Sequence, residues 1–124
     1  MTETEVLFYK DDDGSVPVLD WLDILSRTEP KVVRKVLARI DELREFGAKL
    51  HRPIADYLDR GIYELRLSYG NLNYRILYAF VGQNIALLTN GLVKEKRVPP
   101  GEIRLAVKRK QAYESNPSEH GYKE

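Results

Sequence analysis

The stretch IYELRLSYGNLNYRILYAFVGQNIALLTNGLVK, residues 62–94, carries the pattern that decides the fold. In residues 62–68 and 72–80, apolar and polar side chains alternate along the chain, and a Gly-Asn pair separates the two runs. This pattern is typical of two β-strands joined by a tight turn. After the turn sequence VGQN, residues 85–94 are more continuously apolar, which indicates a strand that is well covered in its sheet. The three runs predict an antiparallel meander.

Two amphipathic helices are predicted before this meander. In SVPVLDWLDILS, residues 15–26, Ser15 is the predicted cap and Pro17 lies in the first turn. In TEPKVVRKVLARIDELREFG, residues 28–47, Thr28 is the predicted cap and an apolar stripe runs along one side as far as the terminating Gly47. Both helices should bury their apolar sides against the sheet.

Three further segments complete the prediction. EVLFYK, residues 5–10, favours a short N-terminal strand, LHRPIADYLDRG, residues 50–61, is typical of a loop, and EIRLAVKRKQAY, residues 102–113, indicates a C-terminal helix. The predicted fold is therefore α+β: a small antiparallel sheet, made of the three-strand meander and the N-terminal strand, with the two N-terminal helices on one face and a C-terminal helix.

The length and composition favour one domain in a reducing compartment. The chain has 124 residues and no cysteine, which excludes disulfides, thiolate metal sites and cysteine nucleophiles. We expect a single domain over residues 1–113 and a loose polar tail over residues 114–124. The sequence shows no basic and apolar leader and no apolar run near the roughly 20 residues that span a bilayer, so we expect a cytoplasmic protein without a membrane partner.

Charge is distributed unevenly along the chain. The net charge is +1, but residues 1–30 carry −6 and residues 31–124 carry +7. Between Gly61 and Tyr113 there are nine basic and three acidic residues. This imbalance favours a partner that bears phosphates, although a well-solvated surface is the ordinary explanation of such charge runs.

Each of the first two meander strands has an arginine near its middle. By alternation, Arg66 and Arg75 project from the face opposite the helices, together with Glu64. We expect this face to be open, because a guanidinium that is buried without a partner is unfavourable. Lys94 and the basic loop with Lys96 and Arg97 should join them. Arginine forks and lysine charges match phosphate oxygens. The alternative is structural: Glu64 pairs with Arg75 across the strands.

Four segments together resemble the RelE/ParE superfamily of bacterial toxins. They are YELRLSYG, NYRILYAF, LLTNGLVKEKRVPPGEIRLAVKR and, for the HigB-like branch, FYKDDDGSVPVLDWL; the resemblance covers almost the whole chain up to Tyr113. It implies a RelE-like fold and the toxin of a type II toxin–antitoxin pair, which cleaves messenger RNA on the ribosome and inhibits translation. It implies attack of a ribose 2′-OH on the adjacent phosphate, without a metal ion or cofactor.

The resemblance also implies roles for individual residues and partners. Arg66 and Arg75 match basic positions of the paired strands, with Arg75 on the scissile phosphate, and Lys94 and Arg97 match phosphate contacts and a candidate general acid. Further RNA contacts fall to Lys96, Arg104 and Tyr113, although Tyr113 is equally well explained as a core tyrosine. The implied partners are an antitoxin, often with a helix-turn-helix DNA-binding domain, messenger RNA, and operator DNA through the antitoxin alone.

Glu64 is the carboxylate nearest to the proposed phosphate site, which makes it the candidate general base. Because it faces two arginines, we expect its pKa to be low. Two alternatives to the ribonuclease remain. One is a ParE-like toxin that binds gyrase and cleaves nothing, and the other is a non-catalytic member that persists as a binding protein.

Overall fold

The computed structural model describes residues 3–94 and 97–124, apart from the side chain of Lys94. The described residues form strands and helices with these bounds: β1 Glu5–Tyr9, α1 Pro17–Thr28, α2 Pro30–Phe46, β2 Ala55–Asp59, β3 Ile62–Tyr69, β4 Leu72–Val81, β5 Ile85–Lys94, α3 Pro100–Ser115, α4 Pro117–His120 and β6 Gly121–Tyr122.

The strands form one mixed sheet in the order β2-β3-β4-β5-β1-β6. The antiparallel meander β3-β4-β5 is confirmed, and β1 pairs with β5 in parallel, with Glu5 opposite Ile85. The prediction of an antiparallel sheet made of four strands is therefore wrong in two respects: the sheet has six strands among the described residues, and one of its pairings is parallel.

One face of the sheet packs on α1 and α2, as predicted. The shared core contains the inward side chains of β3 and β4, such as Leu65 and Ile76, against Val32, Val36 and Ile40 of α2. Both helices begin at a proline, Pro17 and Pro30, but neither has a side-chain cap. The predicted caps Ser15 and Thr28 are wrong, because Val16 and Glu29 occupy the cap positions.

Trp21 of α1 belongs to this core. Its indole lies directly over Gly91 of β5, where a Cβ atom would collide with the ring carbons. The absence of a side chain at Gly91 therefore lets α1 approach the sheet closely.

The opposite face of the sheet packs on α3. A second apolar cluster joins Leu77 and Ala79 of β4 and Leu92 of β5 to Ala106 of α3, with Ile103 packed against it. The sheet thus has helices on both faces, and α3 covers the face on which the two strand arginines were expected to be open to solvent.

Two segments predicted to be irregular are ordered. The predicted loop of residues 50–61 contains β2, which pairs with β3 at one edge of the sheet. The predicted loose tail forms α4 and β6, and β6 pairs with β1 at the other edge. His120 anchors this tail: it is buried, stacks on Tyr9 with ring centroids 5.5 Å apart, and its Nδ1 lies 2.8 Å from the Lys10 carbonyl.

Among the described residues, no helix has the length and apolar character needed to cross a membrane.

Candidate functional site

The residues proposed for chemistry come together on the α3 face of the meander. Arg66 on β3 lies directly opposite Arg75 on β4, and Glu64 lies opposite Leu77. Residues paired across strands share a face, and residues two apart on one strand share it as well. The three charged side chains therefore project from one patch of the sheet, on the face that also packs on α3.

The three residues differ in their exposure to solvent. Glu64 is 5% exposed and Arg75 is 7% exposed, whereas the side chain of Arg66 is 36% exposed. The expectation that both arginines project from an open face is wrong for Arg75. Alternation gives the face of the sheet correctly, but that face also carries α3 and an apolar cluster that includes Leu77 and Leu92, and Arg75 on it is shielded from water.

Glu64 contacts both guanidinium groups. Its Oε1 lies 3.1 Å from Nε of Arg75, and its Oε2 lies 3.8 Å from Nη1 of Arg66. The pairing of Glu64 with Arg75, which was the structural alternative, is therefore present. Because one carboxylate faces two guanidiniums, the trio carries a net positive charge. We call these three residues the Glu64 cluster.

Hydrogen bonding within the Glu64 cluster is incomplete. Nε and Nη1 of Arg75 and Oε1 of Glu64 are buried and have no well-aligned hydrogen-bond partner among the described residues. Buried polar atoms are normally satisfied, so each exception needs an explanation, and a catalytic role is one of those known. The side chains are in contact without the geometry of an optimal bidentate pair.

Burial raises the pKa of Glu64 above its ordinary value of 4.5. The arginines, Arg75 first and then Arg66, oppose this rise in pKa, and Asp56 on the neighbouring strand adds to it. The expectation that the pKa of Glu64 is low is therefore wrong, because removal of water from the carboxylate outweighs the attraction of the two cations. A carboxylate with a raised pKa is the better proton acceptor near neutral pH.

Asn90, for which no role was predicted, also lies on this face. It is opposite Leu77 on β5, and its Nδ2 donates to Oε1 of Glu102, 3.0 Å away in the first turn of α3. This bond fixes the start of α3 beside the Glu64 cluster. A register shift in the pairing of β4 with β5 follows directly, between Leu77 and Tyr78. Alternation alone does not reveal such a shift, so the sequence could not place Asn90 securely.

The other predicted basic residues have different surroundings. Arg97, just after β5, and Arg104, in the second turn of α3, are exposed and form no ion pair with a described residue. The backbone of Lys94 ends β5 opposite Asn73. The side chain of Lys94, and all of Lys96, lie outside the described residues.

Tyr113 does not lie near this site. It is buried in a cluster with Tyr9, Val81 and Leu87. Val81 is six residues along β4 from Arg75, about 20 Å at the rise of a strand. The prediction that Tyr113 stacks on an RNA base is wrong, and the alternative explanation of a core tyrosine is correct.

Acidic and histidine side chains do not assemble into a metal site in the part of the chain that the structure describes. The chemistry available at the Glu64 cluster is that of a carboxylate and guanidiniums. These groups can accept a proton and bind an anionic oxygen.

Comparison with known proteins corrects the expected family. No curated protein matches the chain. The family model "Phage derived protein Gp49-like (DUF891)" matches residues 20–111, from within α1 to within α3. Gp49-like proteins are a phage-derived, toxin-like family distinct from RelE/ParE, so the expected membership of the HigB-like branch is wrong. A toxin-like family is compatible with a role in a toxin–antitoxin pair. The chain belongs to the Gp49-like family of phage-derived proteins.

Proposed function

We propose that this chain is the toxin of a toxin–antitoxin pair and a metal-independent endoribonuclease that cuts messenger RNA on the ribosome. One observation carries the proposal: a buried carboxylate with a raised pKa contacts two guanidiniums, of which Arg66 reaches solvent. A proton acceptor, Glu64, thus lies next to an anion-binding group, Arg66, at a distance of 3.8 Å.

The proposed reaction is attack of the ribose 2′-oxygen on the adjacent phosphorus. The proton of the 2′-OH passes to Glu64, the bond from phosphorus to the 5′-oxygen breaks, and that oxygen takes up a proton from Lys94 or from water. The products are a 2′,3′-cyclic phosphate and a 5′-hydroxyl. Negative charge grows on the phosphate oxygens in the transition state, so cations that are already in place stabilise it more than the ground state.

Arg66 is the proposed phosphate ligand. Its contact with Glu64 is loose, at 3.8 Å, and a phosphate offers its guanidinium two well-aligned oxygens. When Arg66 turns toward phosphate, Oε2 of Glu64 becomes accessible to the 2′-OH. Arg75 holds Oε1 of the same carboxylate at 3.1 Å, so we propose a positioning role for it in place of direct contact with the scissile phosphate.

Exposed cations extend the proposed RNA surface beyond the cluster. Arg97 and Arg104 have no described acidic partner, and we propose that they contact phosphates outside the cleaved bond. The other proposed partner is an antitoxin, with operator DNA bound only through it. A groove along α1 and α2, in which Leu19, Val33 and the exposed Leu37 lie beside charged residues such as Asp23 and Arg44, supports a protein partner.

Induction of the chain in a bacterial host tests the proposal. Growth is followed, and primer extension on an abundant messenger detects new cuts. The wild type should arrest growth and cut within translated regions, and Arg66→Ala and Glu64→Gln should do neither. Arg27→Ala removes an exposed arginine on α1 whose one ion pair with a described residue is that with Asp23, and it should behave as the wild type.

The outcomes separate the competing functions. Arrest with intact messenger RNA would refute the nuclease and favour a protein target such as gyrase. Absence of arrest by a folded wild-type chain would refute the toxin itself. Cuts that persist in folded Arg66→Ala would remove the proposed phosphate ligand.

A further inference from the structure

Four buried atoms on the α3 face of the sheet lack a well-aligned hydrogen-bond partner among the described residues. Two are donors on one guanidinium, Nε and Nη1 of Arg75, and two are acceptors, Oε1 of Glu64 and Oδ1 of Asn90. All three residues are buried, and Asn90 is 4% exposed. Because buried polar atoms are normally satisfied, these donors and acceptors need an explanation. The two donors of Arg75 match the two acceptors in number and in kind.

The strand register places Arg75 between the two acceptors. Glu64 on β3 and Asn90 on β5 both lie directly opposite Leu77 of β4. Leu77 is two residues beyond Arg75 on the same strand, and the register is regular over residues 75–77, so these side chains share one face. Glu64 and Asn90 are therefore diagonal neighbours of Arg75, one on each side. Diagonal neighbours lie about 7 to 8 Å apart, a distance that a long side chain spans.

The guanidinium of Arg75 uses one edge toward Glu64. Its Nε lies 3.1 Å from Oε1 of Glu64, on one of the two diagonals. In a planar guanidinium, Nε and Nη1 lie on different edges of the fork. While Nε faces Glu64, Nη1 is left to donate in another direction.

The amide of Asn90 is oriented by α3. Its Nδ2 donates to Oε1 of Glu102, 3.0 Å away. The reverse orientation would set Oδ1 against the carboxylate of Glu102, where two acceptors repel each other. Oδ1 therefore points away from Glu102. An acceptor is thus held on the same face of the sheet as Arg75.

Proton uptake by Glu64 changes the surroundings that Arg75 requires. Within the described part of the chain, the carboxylate of Glu64 is the ion-pair partner of Arg75. In the proposed reaction Glu64 takes the proton of the 2′-OH and loses its charge. A guanidinium that then stays buried without a charged partner is unfavourable, and a hydrogen bond to an amide oxygen offsets part of that cost.

We propose that Asn90 is a positioning residue for the reaction, and that its Oδ1 accepts a hydrogen bond from Nη1 of Arg75 when Glu64 takes up a proton. Rotation of the Arg75 side chain toward Asn90 forms this bond. The bond keeps the guanidinium within the Glu64 cluster and favours proton uptake by the carboxylate. This inference rests on the proposed function and deepens it, because it concerns the step in which Glu64 accepts the proton.

The competing explanation is structural: Asn90 only ties the first turn of α3 to the sheet through Glu102. A double-mutant cycle at two pH values distinguishes the two roles. Asn90→Leu and Arg75→Met are compared singly and together by urea unfolding. At pH 4, below the raised pKa of Glu64, the carboxyl is largely protonated, and at pH 8 more of it is ionised.

The two substitutions should be coupled about 5- to 20-fold in the unfolding equilibrium constant at pH 4, and less than about twofold at pH 8. Thr89→Val is the matched control for Asn90→Leu, because the buried Thr89 precedes Asn90 on β5 and its hydroxyl donates to a backbone carbonyl. It should be additive with Arg75→Met at both pH values. The other charged groups around the cluster are the same in every variant: Asp56 on β2, Arg66 on β3 and Glu102 on α3.

Asn90→Ser takes the place of Asn90→Leu if the leucine variant does not fold. Coupling at pH 4 that disappears at pH 8 would support the inference. Coupling of equal size at both pH values, or additivity at pH 4, would overturn it and leave Asn90 with the structural role alone.

Induction in a bacterial host separates this inference from the proposed function. Asn90→Leu should cut messenger RNA about 10-fold less than the wild type, as expected for the loss of one hydrogen bond to a charged group, and Thr89→Val should cut as the wild type does. Wild-type cutting by a folded Asn90→Leu would overturn the positioning role and keep the nuclease. Absence of cuts by the wild type would overturn the proposed function and the positioning role with it, whereas the pairing of Arg75 with Asn90 is decided by the unfolding cycle.

Discussion

Replacement of Arg75 by methionine should destabilise the protein in a pH-dependent way. Methionine keeps much of the apolar volume of the arginine stem and removes its charge. Glu64 then loses the cation that lies 3.1 Å from its Oε1 and keeps only Arg66, at 3.8 Å. Removal of one partner of a buried ion pair typically costs about 3 to 5 kcal/mol. Here Glu64 can instead take up a proton, which limits the loss.

The direction and the size of this pH-dependent change in stability follow from the pKa of Glu64. Burial already raises this pKa above 4.5, so the stabilisation that Glu64 contributes is fully present below pH 4.5 and is lost as the pH rises through the pKa of the folded state. Loss of Arg75 raises the pKa further. The variant cannot lose more stability through Glu64 than it costs to protonate a carboxyl of ordinary pKa at the pH of the measurement. This cost is about 3 kcal/mol at pH 7 and below about 1 kcal/mol at pH 5.

Urea unfolding followed by circular dichroism at pH 5, 6, 7 and 8 measures this difference. The loss of stability in Arg75→Met should grow by up to about 1.4 kcal/mol per pH unit above pH 4.5. Arg66→Met should lose less than about 1 kcal/mol, because that pair is partly exposed. The double variant Glu64→Gln and Arg75→Met should lack the pH dependence. An equal loss at pH 5 and pH 8 in Arg75→Met would refute the reasoning.

Three further predictions concern packing and are measured by thermal or urea unfolding. Gly91→Ala should lower the free energy of unfolding by about 1 to 3 kcal/mol, because the added methyl group meets the Trp21 indole. Gly101→Ala is the control: the nearest neighbour of its methyl group is a flexible side chain at 3.6 Å, so this variant should be as stable as the wild type or slightly more stable. Tyr113→Ala should lower the free energy of unfolding by about 3 to 5 kcal/mol and Tyr113→Phe by much less, and unchanged stability of Tyr113→Ala would contradict the core role. His120→Ala should cost about 1 to 2 kcal/mol through the lost ring stack and hydrogen bond, and an unchanged midpoint would show that the tail contributes nothing.

The parts of the fold with strong periodicity could be predicted from the sequence. The meander follows from period-two alternation over residues 62–80, and the helices follow from apolar stripes that begin at Pro17 and Pro30. The strand β2 has only five residues and lies at a sheet edge, where one side lacks a neighbour, so its pattern is weak. The tail is polar in composition, and its order depends on contacts of His120 that no local pattern encodes.

The candidate site could be predicted in its residues but not in its environment. Alternation places Glu64, Arg66 and Arg75 on one face, and the structure brings all three together. The packing position of α3 decides how much of this charged face is covered. The short apolar stripe of α3 does not determine that position. Arg75 is buried and burial raises the pKa of Glu64, and the alternation of side chains along a strand carries no information on burial, which explains why both were mispredicted.

The position of β1 has a consequence for synthesis of the chain. Glu5 pairs with Ile85, so the first strand has no sheet partner until 80 more residues have been translated. At about 5 to 20 residues per second, this delay lasts on the order of 4 to 16 seconds. Lys10 meets His120 only after 110 residues. The Glu64 cluster needs both β3 and β4, and the face it occupies also packs on α3, so a nascent chain cannot complete that face before residues 100–115 have been translated.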